Sequence, residues 1–368
     1  MKKKVLHLID NFARGGAPLV VKNIVDRIDR IEFESSICPL RPIVELDVDV
    51  PIIKLPYRNY DPRKVLAIAR FCRNNNIDII HGHLSKGNIC SLLAGFLCKS
   101  KVILHEHGEI FCRGRYAIYQ WILRCCSGRA SRIVAVSEAT KKKLADVCKL
   151  SGDKITVVSN FVNFDVFDLS KYNREEIRQK LNFKEEDIVI GFVGRLDRSK
   201  GVDIFLDTAS VLCRQNTMFR FIVVGDGHER GSLENQARSL AILDKVVFAG
   251  MVKNPAPLIR AFDVGVVPSR REAFGMAAIE LMAMNIPVVA ADVGGLKELV
   301  INEQTGLICA KSTGSDFAAA IRRIAADTSL RTKVIQNASV LVQKYSIDIF
   351  INSVEKLYRD VEGQIEMV

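Results

Sequence analysis

No C-x-x-C pair occurs among the ten cysteines of this chain, and Cys125 and Cys126 are adjacent, a poor geometry for a zinc site or a redox dithiol. No stretch reaches the roughly 18 uncharged apolar residues of a membrane-spanning helix; residues 89–98 form the longest early run. Lys2, Lys3 and Lys4 precede a short apolar stretch of about five residues, where a secretion signal needs roughly 7 to 15. That stretch reads as a buried first strand, so the cysteines are expected to be reduced thiols in the cytosol. Tryptophan occurs once, at Trp121, and aromatic side chains are not interleaved with basic ones as on an RNA-binding sheet. Zinc-finger and helix-turn-helix spacings are missing too, which excludes nucleic acid from the expected partners.

What is present is material for two cores. At 368 residues and 48% hydrophobic, the chain is long enough for two domains. Short apolar runs alternate with amphipathic segments over 4–9, 20–28, 36–40, 65–74, 77–81, 92–97, 102–105, 133–136 and 155–158. That rhythm predicts a parallel sheet covered on both faces. It breaks in the charged segment 171–178 and resumes at 188–193, 221–224, 246–249, 264–267 and 287–291. The expected architecture is α/β: two doubly wound Rossmann-like domains facing an interdomain cleft, over residues 1–168 and 169–345. An amphipathic segment at 346–368 is expected to pack back towards the first domain. Charge is uneven: residues 1–170 carry 27 Lys and Arg against 17 Asp and Glu, and the remainder 26 against 25. A basic first domain suits an anionic membrane surface or an acidic substrate.

The residues that need a reason are Glu272 and Glu280, in Arg271-Glu-Ala-Phe-Gly-Met-Ala-Ala-Ile-Glu280. An ionised carboxylate among Met, Ala, Ile and Leu costs several kcal/mol or more unless paired or hydrogen-bonded. Glu272 precedes a helix whose first-turn N–H groups, around Phe274, Gly275, Met276 and Ala277, suit an anion such as a diphosphate. Carboxylates on either side of an anion site suit a ligand with hydroxyls on both sides of a phosphate, which describes a nucleotide sugar. A structural reading also stands, with Glu272 capping the helix and Glu280 satisfied by a neighbouring Arg or Lys. Arg195 and Lys200, in Gly194-Arg-Leu-Asp-Arg-Ser-Lys-Gly201, follow a predicted strand and offer two cations to a diphosphate. Gly15 and Gly16 follow the first strand, where backbone can approach a ligand closely or simply turn.

Together these residues resemble glycosyltransferase family 4, the retaining family of the GT-B fold, over nearly the whole chain. The E-x7-E element from Glu272 to Glu280 carries most of the likeness. Val223-Val-Gly-Asp-Gly227, Phe248-Ala-Gly250, Asp292-Val-Gly-Gly-Leu-Lys-Glu298 and Thr305-Gly-Leu307 support it by their order. The resemblance implies that Glu272 holds donor-sugar hydroxyls and Glu280 the ribose. It also implies that Arg195, Lys200 and the amides of Phe274, Gly275, Met276 and Ala277 take the diphosphate. The base would lie near Val247 and Phe248, and His107 would face the transferred sugar. Two segments depart from the family: Gly15-Gly-Ala-Pro18 lacks a glutamate shortly after the glycines, and Ser159-Asn-Phe-Val-Asn163 replaces Pro-Asn-Gly-Val-Asp.

Three motifs compete. His81-Gly-His83 and His105-Glu-His107 place two imidazoles on one face of each strand end, and with Glu106 and Glu109 nearby they allow a metal-dependent hydrolase. Asp47-Val-Asp49 imitates a metal-binding D-x-D but reads as a solvated turn before Pro51. Gly225-Asp-Gly-His-Glu-Arg-Gly231 departs from a dinucleotide fingerprint at Arg230 and reads as a strand-to-helix turn. Around Trp121, a helix carrying Tyr116, Tyr119 and Ile122 beside Arg113, Arg115 and Arg124 suits a membrane interface or packing on its own sheet. The expected function is transfer of a sugar from a nucleoside diphosphate donor to a hydroxyl acceptor, with retention, in surface polysaccharide, lipopolysaccharide or glycolipid synthesis. No metal or cofactor is required, and the protein is placed in the cytoplasm, peripheral at the inner face of the membrane with a lipid-linked acceptor. A nucleotide-sugar binding protein without turnover is the alternative.

Overall fold

The computed structural model describes residues 2–13, 15–57, 61–108 and 115–363. The chain divides into two units, Met1–Asn160 with Asp348–Val368, and Phe161–Ile347. In the first, six strands run parallel: β1 (Lys3–Ile9), β2 (Phe33–Pro39), β3 (Ile79–His83), β4 (Lys101–Glu106), β5 (Arg132–Ala135) and β6 (Ile155–Val157). Their spatial order is β2-β1-β3-β4-β5-β6. The strands are mostly buried runs, fully so in β3, as expected where helices cover a parallel sheet: α1 (Gly16–Arg27), α2 (Arg63–Asn74), α3 (Leu84–Gly95), α4 (Arg115–Cys126) and α5 (Glu138–Cys148). The run expected at 77–81 becomes strand only from Ile79, since Ile77 closes the end of α2 by donating its N–H to the Cys72 carbonyl at 2.9 Å.

The second unit repeats the design with β7 (Ile188–Val193), β8 (Phe219–Val224), β9 (Val246–Gly250), β10 (Val264–Val267), β11 (Val288–Ala291) and β12 (Leu307–Cys309). Their order is β12-β11-β10-β7-β8-β9, again parallel throughout. Its helices are α6 (Arg174–Lys180), α7 (Val202–Cys213), α8 (Arg230–Ser239), α9 (Ala256–Arg260), α10 (Met276–Ala283), α11 (Leu296–Leu299), α12 (Gly314–Ala326) and α13 (Thr328–Val342). The charged break in the sequence pattern holds α6, capped by Asn173, whose Oδ1 accepts from the N–H groups of Glu175 and Glu176 at 3.0 and 3.2 Å. The core joins Phe192, Phe205, Phe221 and Phe317 with the inward faces of α7 and α12.

The last helix, α14 (Ile347–Gly363), lies with the first unit from Asp348 onwards. Glu355 Oε1 accepts the Asp29 N–H at 2.9 Å, Arg359 grips Glu32 through two nitrogens, and Tyr358 is fully buried against Phe33. The Tyr358 hydroxyl meets His81 Nδ1 at 2.7 Å. Removing that hydroxyl leaves a buried imidazole nitrogen without a partner. Tyr358→Phe should therefore lower unfolding free energy by about 1–3 kcal/mol in urea titrations, and a loss of only a few tenths would show that His81 finds another partner.

Candidate active site

Open parallel sheets bind ligands beyond the carboxyl ends of their strands, where the strand order reverses. In the second sheet that point lies at β7, with β8 on one side and β10 on the other. The turns after β7 and β10 meet there: Arg270 and Arg271 donate their N–H groups to the Ser199 carbonyl at 2.8 and 3.3 Å, and the Arg270 guanidinium grips Asp203 through two nitrogens at 2.6 and 2.5 Å. Gly201, at φ +70°, has no room for a side chain, since a Cβ would lie 2.1 Å from the Pro268 carbonyl oxygen. The turn after β11 joins them, with the Gly295 N–H donating to the Glu272 carbonyl at 3.0 Å.

These contacts bring together the residues that the sequence pattern singled out. Lys200 Nζ donates to Glu272 Oε2 at 2.6 Å, and the Ser269 hydroxyl reaches the same oxygen at 3.1 Å. The neighbouring cation thus satisfies Glu272, whereas the structural reading had assigned one to Glu280. Gly275 precedes α10, whose first backbone bonds run from Ala278 and Ile279 to the Gly275 carbonyl. The N–H groups of Met276 and Ala277 stand ahead of that ladder, on the end nearest Glu272. One helical stretch further on, Glu280 is half-buried, and no described residue bonds to its carboxyl group. Burial pushes that group up to about 8, against the opposing pull of Lys200. Near neutral pH such a carboxyl group favours its protonated form, able to donate as well as accept.

Arg195 sits in the turn after β7, largely exposed and paired with Asp197 at 3.1 Å. It is a cation within the same crevice edge, free of burial. Val247 and Phe248 are half-buried on β9, the outermost strand of this edge, and the Phe248 carbonyl accepts from Arg230 at 3.5 Å. Arg230, which breaks the dinucleotide fingerprint, bonds Asp226 and Glu234 and so closes the turn into α8.

The first sheet reverses its order at β1, between β2 and β3. Gly15 and Gly16 open α1 after β1, and a Cβ at Gly16 would meet nothing within 4 Å, so open space lies over that turn. The sequence pattern does not single out Asp10, which directly follows β1 and receives Arg41 and Lys86, the latter at 3.0 Å. A carboxylate directly after a central parallel strand is the signal that could have found it. His81 shares a face with His83 and His105 with His107, as the alternation predicts; register sets His83 beside His105 and adds His7 opposite His81. His107 lies half-buried just beyond β4.

The five rings cluster along the sheet, with centroids 3.9 Å apart for the stacked His105 and His107 and 4.1 Å for His81 and His83, which are tilted by 36°. Ring nitrogens of His7, His81 and His83, and of His83, His105 and His107, lie within 4.8 Å of one another, so either trio could hold a metal ion, although His83 is already in hydrogen-bond contact with His7 at 3.1 Å and with His107 at 2.9 Å. Glu106 points to the opposite face, accepting from Asn88 at 2.7 Å and from Tyr119, so it cannot join the cluster as the hydrolase reading asked. Glu109 lies outside the described residues. Asp47 and Asp49 are exposed, with Asp49 paired to Arg30 at 2.8 Å, which makes a solvated turn.

Comparison with known proteins agrees in both halves. The description "Glycosyltransferase Family 4" matches residues 13–166, and "Glycosyl transferases group 1" matches residues 173–340. The 2-deoxystreptamine glucosyltransferase of Streptomyces kanamyceticus is 30% identical over 272 residues, 68% of this chain and 68% of that protein. The chain belongs to the glycosyltransferases. Other relatives are the uncharacterized glycosyltransferase MJ1607 of Methanocaldococcus jannaschii, 30% identical over 62% of this chain and 60% of its own, and the capsular polysaccharide biosynthesis glycosyltransferase CapM of Staphylococcus aureus, 30% identical over 62% and 61%. The aligned parts therefore span 60% to 68% of those relatives' lengths. In fold, this glycosyltransferase matches Anabaena Alr3699/HepE in complex with UDP-glucose at a TM-score of 0.85, with 20% identity over 97% of this chain and 99% of that one. Both sheets are thus those of a GT-B glycosyltransferase.

The raised Glu280 carboxyl sets a pH test on the glycosyltransferase itself. The folded state keeps its proton up to about 8, while the unfolded chain releases it near 4.3. Between those values the unfolded state binds fewer protons, so stability falls as pH rises. Glu280→Gln removes that term. The variant's melting temperature should match wild type near pH 4.5, exceed it increasingly up to about pH 8 and then hold a constant lead; a lead independent of pH would place an ionised Glu280 in the free enzyme.

Proposed function

We propose that this glycosyltransferase moves a sugar from a nucleoside diphosphate donor to a hydroxyl acceptor and retains the anomeric configuration. The Lys200–Glu272 pair, set beside the first turn of α10 and the open Glu280 carboxyl, is the observation that carries the reading. An ammonium has three donors; one holds Glu272, leaving two for phosphate oxygens. Lys200, Arg195 and the N–H groups of Phe274, Gly275, Met276 and Ala277 receive the diphosphate. Glu272 accepts hydroxyls of the transferred sugar, Glu280 those of the ribose, and the base lies along Val247 and Phe248. Gly15 and Gly16 admit the donor closely, and His107 is assigned to the sugar.

Retention without a protein nucleophile follows from displacement on one face. The acceptor oxygen bonds to the anomeric carbon as the bond to the diphosphate oxygen breaks, and the acceptor's proton passes to the departing phosphate. The cations and helix N–H groups stabilise charge growing on that phosphate, the largest contribution such a site supplies. This scheme uses no metal or cofactor. The complex of Anabaena HepE with UDP-glucose supports a uridine donor, and CapM supports a polysaccharide acceptor. A screen of uridine and guanosine diphosphate sugars by calorimetry identifies the base.

Glu272→Ala should abolish transfer while leaving diphosphate affinity unchanged or higher, because Lys200 is released from its partner. Equal loss of affinity and turnover would remove Glu272 from the sugar. Arg195→Ala with Lys200→Ala should weaken diphosphate binding by tenfold or more, since a hydrogen bond to a charged group contributes about 1.5–3 kcal/mol. Unchanged affinity in calorimetry would take both residues out of the site. Binding of donor with neither transfer nor donor hydrolysis would favour a binding protein without turnover.

For the acceptor we propose a lipid-linked glycan at an anionic membrane surface, with the enzyme peripheral on its cytoplasmic side. No described helix is long and apolar enough to cross a membrane. Helix α4 buries Tyr119 and Leu123 yet leaves Trp121 65% and Ile118 64% exposed, an apolar pair on the basic half of the chain. Arg113 lies outside the described residues, as do the side chains of Arg115 and Tyr116. Each Lys or Arg near an anionic surface contributes about 1 kcal/mol, screened within ~8 Å at physiological salt. Vesicles with acidic lipid should bind the enzyme and release it as salt rises, and charge reversal at Arg113, Arg115 and Arg124 should weaken binding without affecting donor affinity. No preference for acidic over neutral vesicles would favour a soluble acceptor.

A further inference from the structure

Of the two histidine trios in the first unit, His7, His81 and His83 are the one whose rings are all wholly shielded from solvent. One ring nitrogen of each lies within 4.8 Å of those of the other two, and the ring centroids form a triangle with sides of 5.4, 5.4 and 4.1 Å. Neighbouring nitrogen ligands on a tetrahedral ion bound at 2.0–2.1 Å stand about 3.3 Å apart. His7 Nδ1 and His83 Nε2 are 3.1 Å apart, close to that edge length.

Contacts behind the rings separate this trio from the other. A ligating imidazole binds through one nitrogen and donates through the other to a group that orients the ring. His81 Nδ1 meets the Tyr358 hydroxyl at 2.7 Å, and His83 Nδ1 meets His107 Nε2 at 2.9 Å, which leaves Nε2 of each for an ion. His81 Nε2 is buried and has no hydrogen-bond partner among the described residues. A buried polar atom of that kind needs an explanation, and a bound ion supplies one. In the other trio, neither nitrogen of His105 has such a partner, so no hydrogen bond orients its ring. Burial lowers the pKa of His7, His81 and His83, so near neutral pH the rings hold the uncharged form that binds metal, and no proton has to be displaced.

We propose that His7, His81 and His83 form a structural site for a divalent transition-metal ion of the zinc class, held by His7 Nδ1, His81 Nε2 and His83 Nε2 with a water in the fourth position. With the ion in place, His81 Nδ1–H donates to the Tyr358 hydroxyl and His83 Nδ1–H to His107 Nε2. The ion ties β1 to β3 and, through Tyr358, both strands to α14. It lies outside the transfer scheme and stabilises the fold whether or not a donor binds.

The test is titration of the chelator-stripped full chain with Co2+ and Zn2+, followed by absorption and thermal melting. Wild type should take up one equivalent of Co2+ with the visible absorption of a tetrahedral nitrogen site and without the intense near-ultraviolet band of thiolate ligands. Zn2+ should displace it and, at about 100 times its Kd, raise the melting temperature by about 5 °C or more, while Mg2+, which prefers oxygen ligands, should not. His7→Phe should abolish stoichiometric uptake, and Tyr358→Phe, which removes the outer partner of His81, should weaken it about tenfold. His105→Leu and the exposed His228→Ala should keep it. No stoichiometric uptake by wild type, or a thiolate spectrum, overturns the proposal. Uptake that survives His7→Phe but is lost in His105→Leu overturns it too, by moving the ion to the other trio. Should a variant not fold, the wild-type stoichiometry, spectrum and melting shift decide by themselves.

Discussion

Backbone packed against backbone at the carboxyl edge of the second sheet is the constraint on which the site depends. A Cβ at Gly201 would press on the Pro268 carbonyl at 2.1 Å, and one at Gly295 would stand 2.4 Å from the Ala273 carbonyl. At these distances no side chain fits, so the turns after β7, β10 and β11 lock together at positions without one. The locking delivers Lys200 from one turn to Glu272 on the next, and it seats the start of α10 where its unpaired N–H groups meet the same space. A looser edge would leave those groups on separate loops, each paying its own ordering entropy when a ligand arrives.

The electrostatics follow from that placement. One ammonium stands between two carboxyl groups with different environments. Direct contact with Lys200 at 2.6 Å balances Glu272; Glu280 feels the same charge from further away, and burial outweighs it. Two glutamates eight positions apart thus differ in character, one an ion-paired acceptor and one a neutral group able to donate as well as accept. A ligand that carries an anion between two sets of hydroxyls uses both. The arrangement costs stability at high pH, which is the usual penalty for keeping a carboxyl group in a functional crevice.

In the first unit, the corresponding order comes from register. Parallel pairing sets His7 opposite His81 and His83 opposite His105, so alternate residues of three strands build one face of imidazoles. Burial lowers the pKa of all five rings, and Tyr358 from the last helix satisfies one nitrogen of His81. A polar face inside a sheet is costly unless its groups answer one another, and here part of the answer is the contact of His83 with His7 at 3.1 Å and with His107 at 2.9 Å.

Much of this was legible in the residues themselves. Alternating apolar runs imply two parallel, helix-covered sheets because buried strands must be continuous and short; Glu272 and Glu280 stand out because carboxylates in apolar surroundings demand partners; Arg195 and Lys200 stand out because cations follow a strand between glycines. Period two alone puts His81 with His83 and His105 with His107. The sequence could not show which glutamate Lys200 would hold, because that depends on the distance between turns 72 residues apart. Nor could it show His7 joining the other histidines, Glu106 turning from them towards Asn88 and Tyr119, or Asp10 gathering Arg41 and Lys86. Each of these is a matter of strand order and register, set by the packing of whole sheets rather than by any local pattern of side chains.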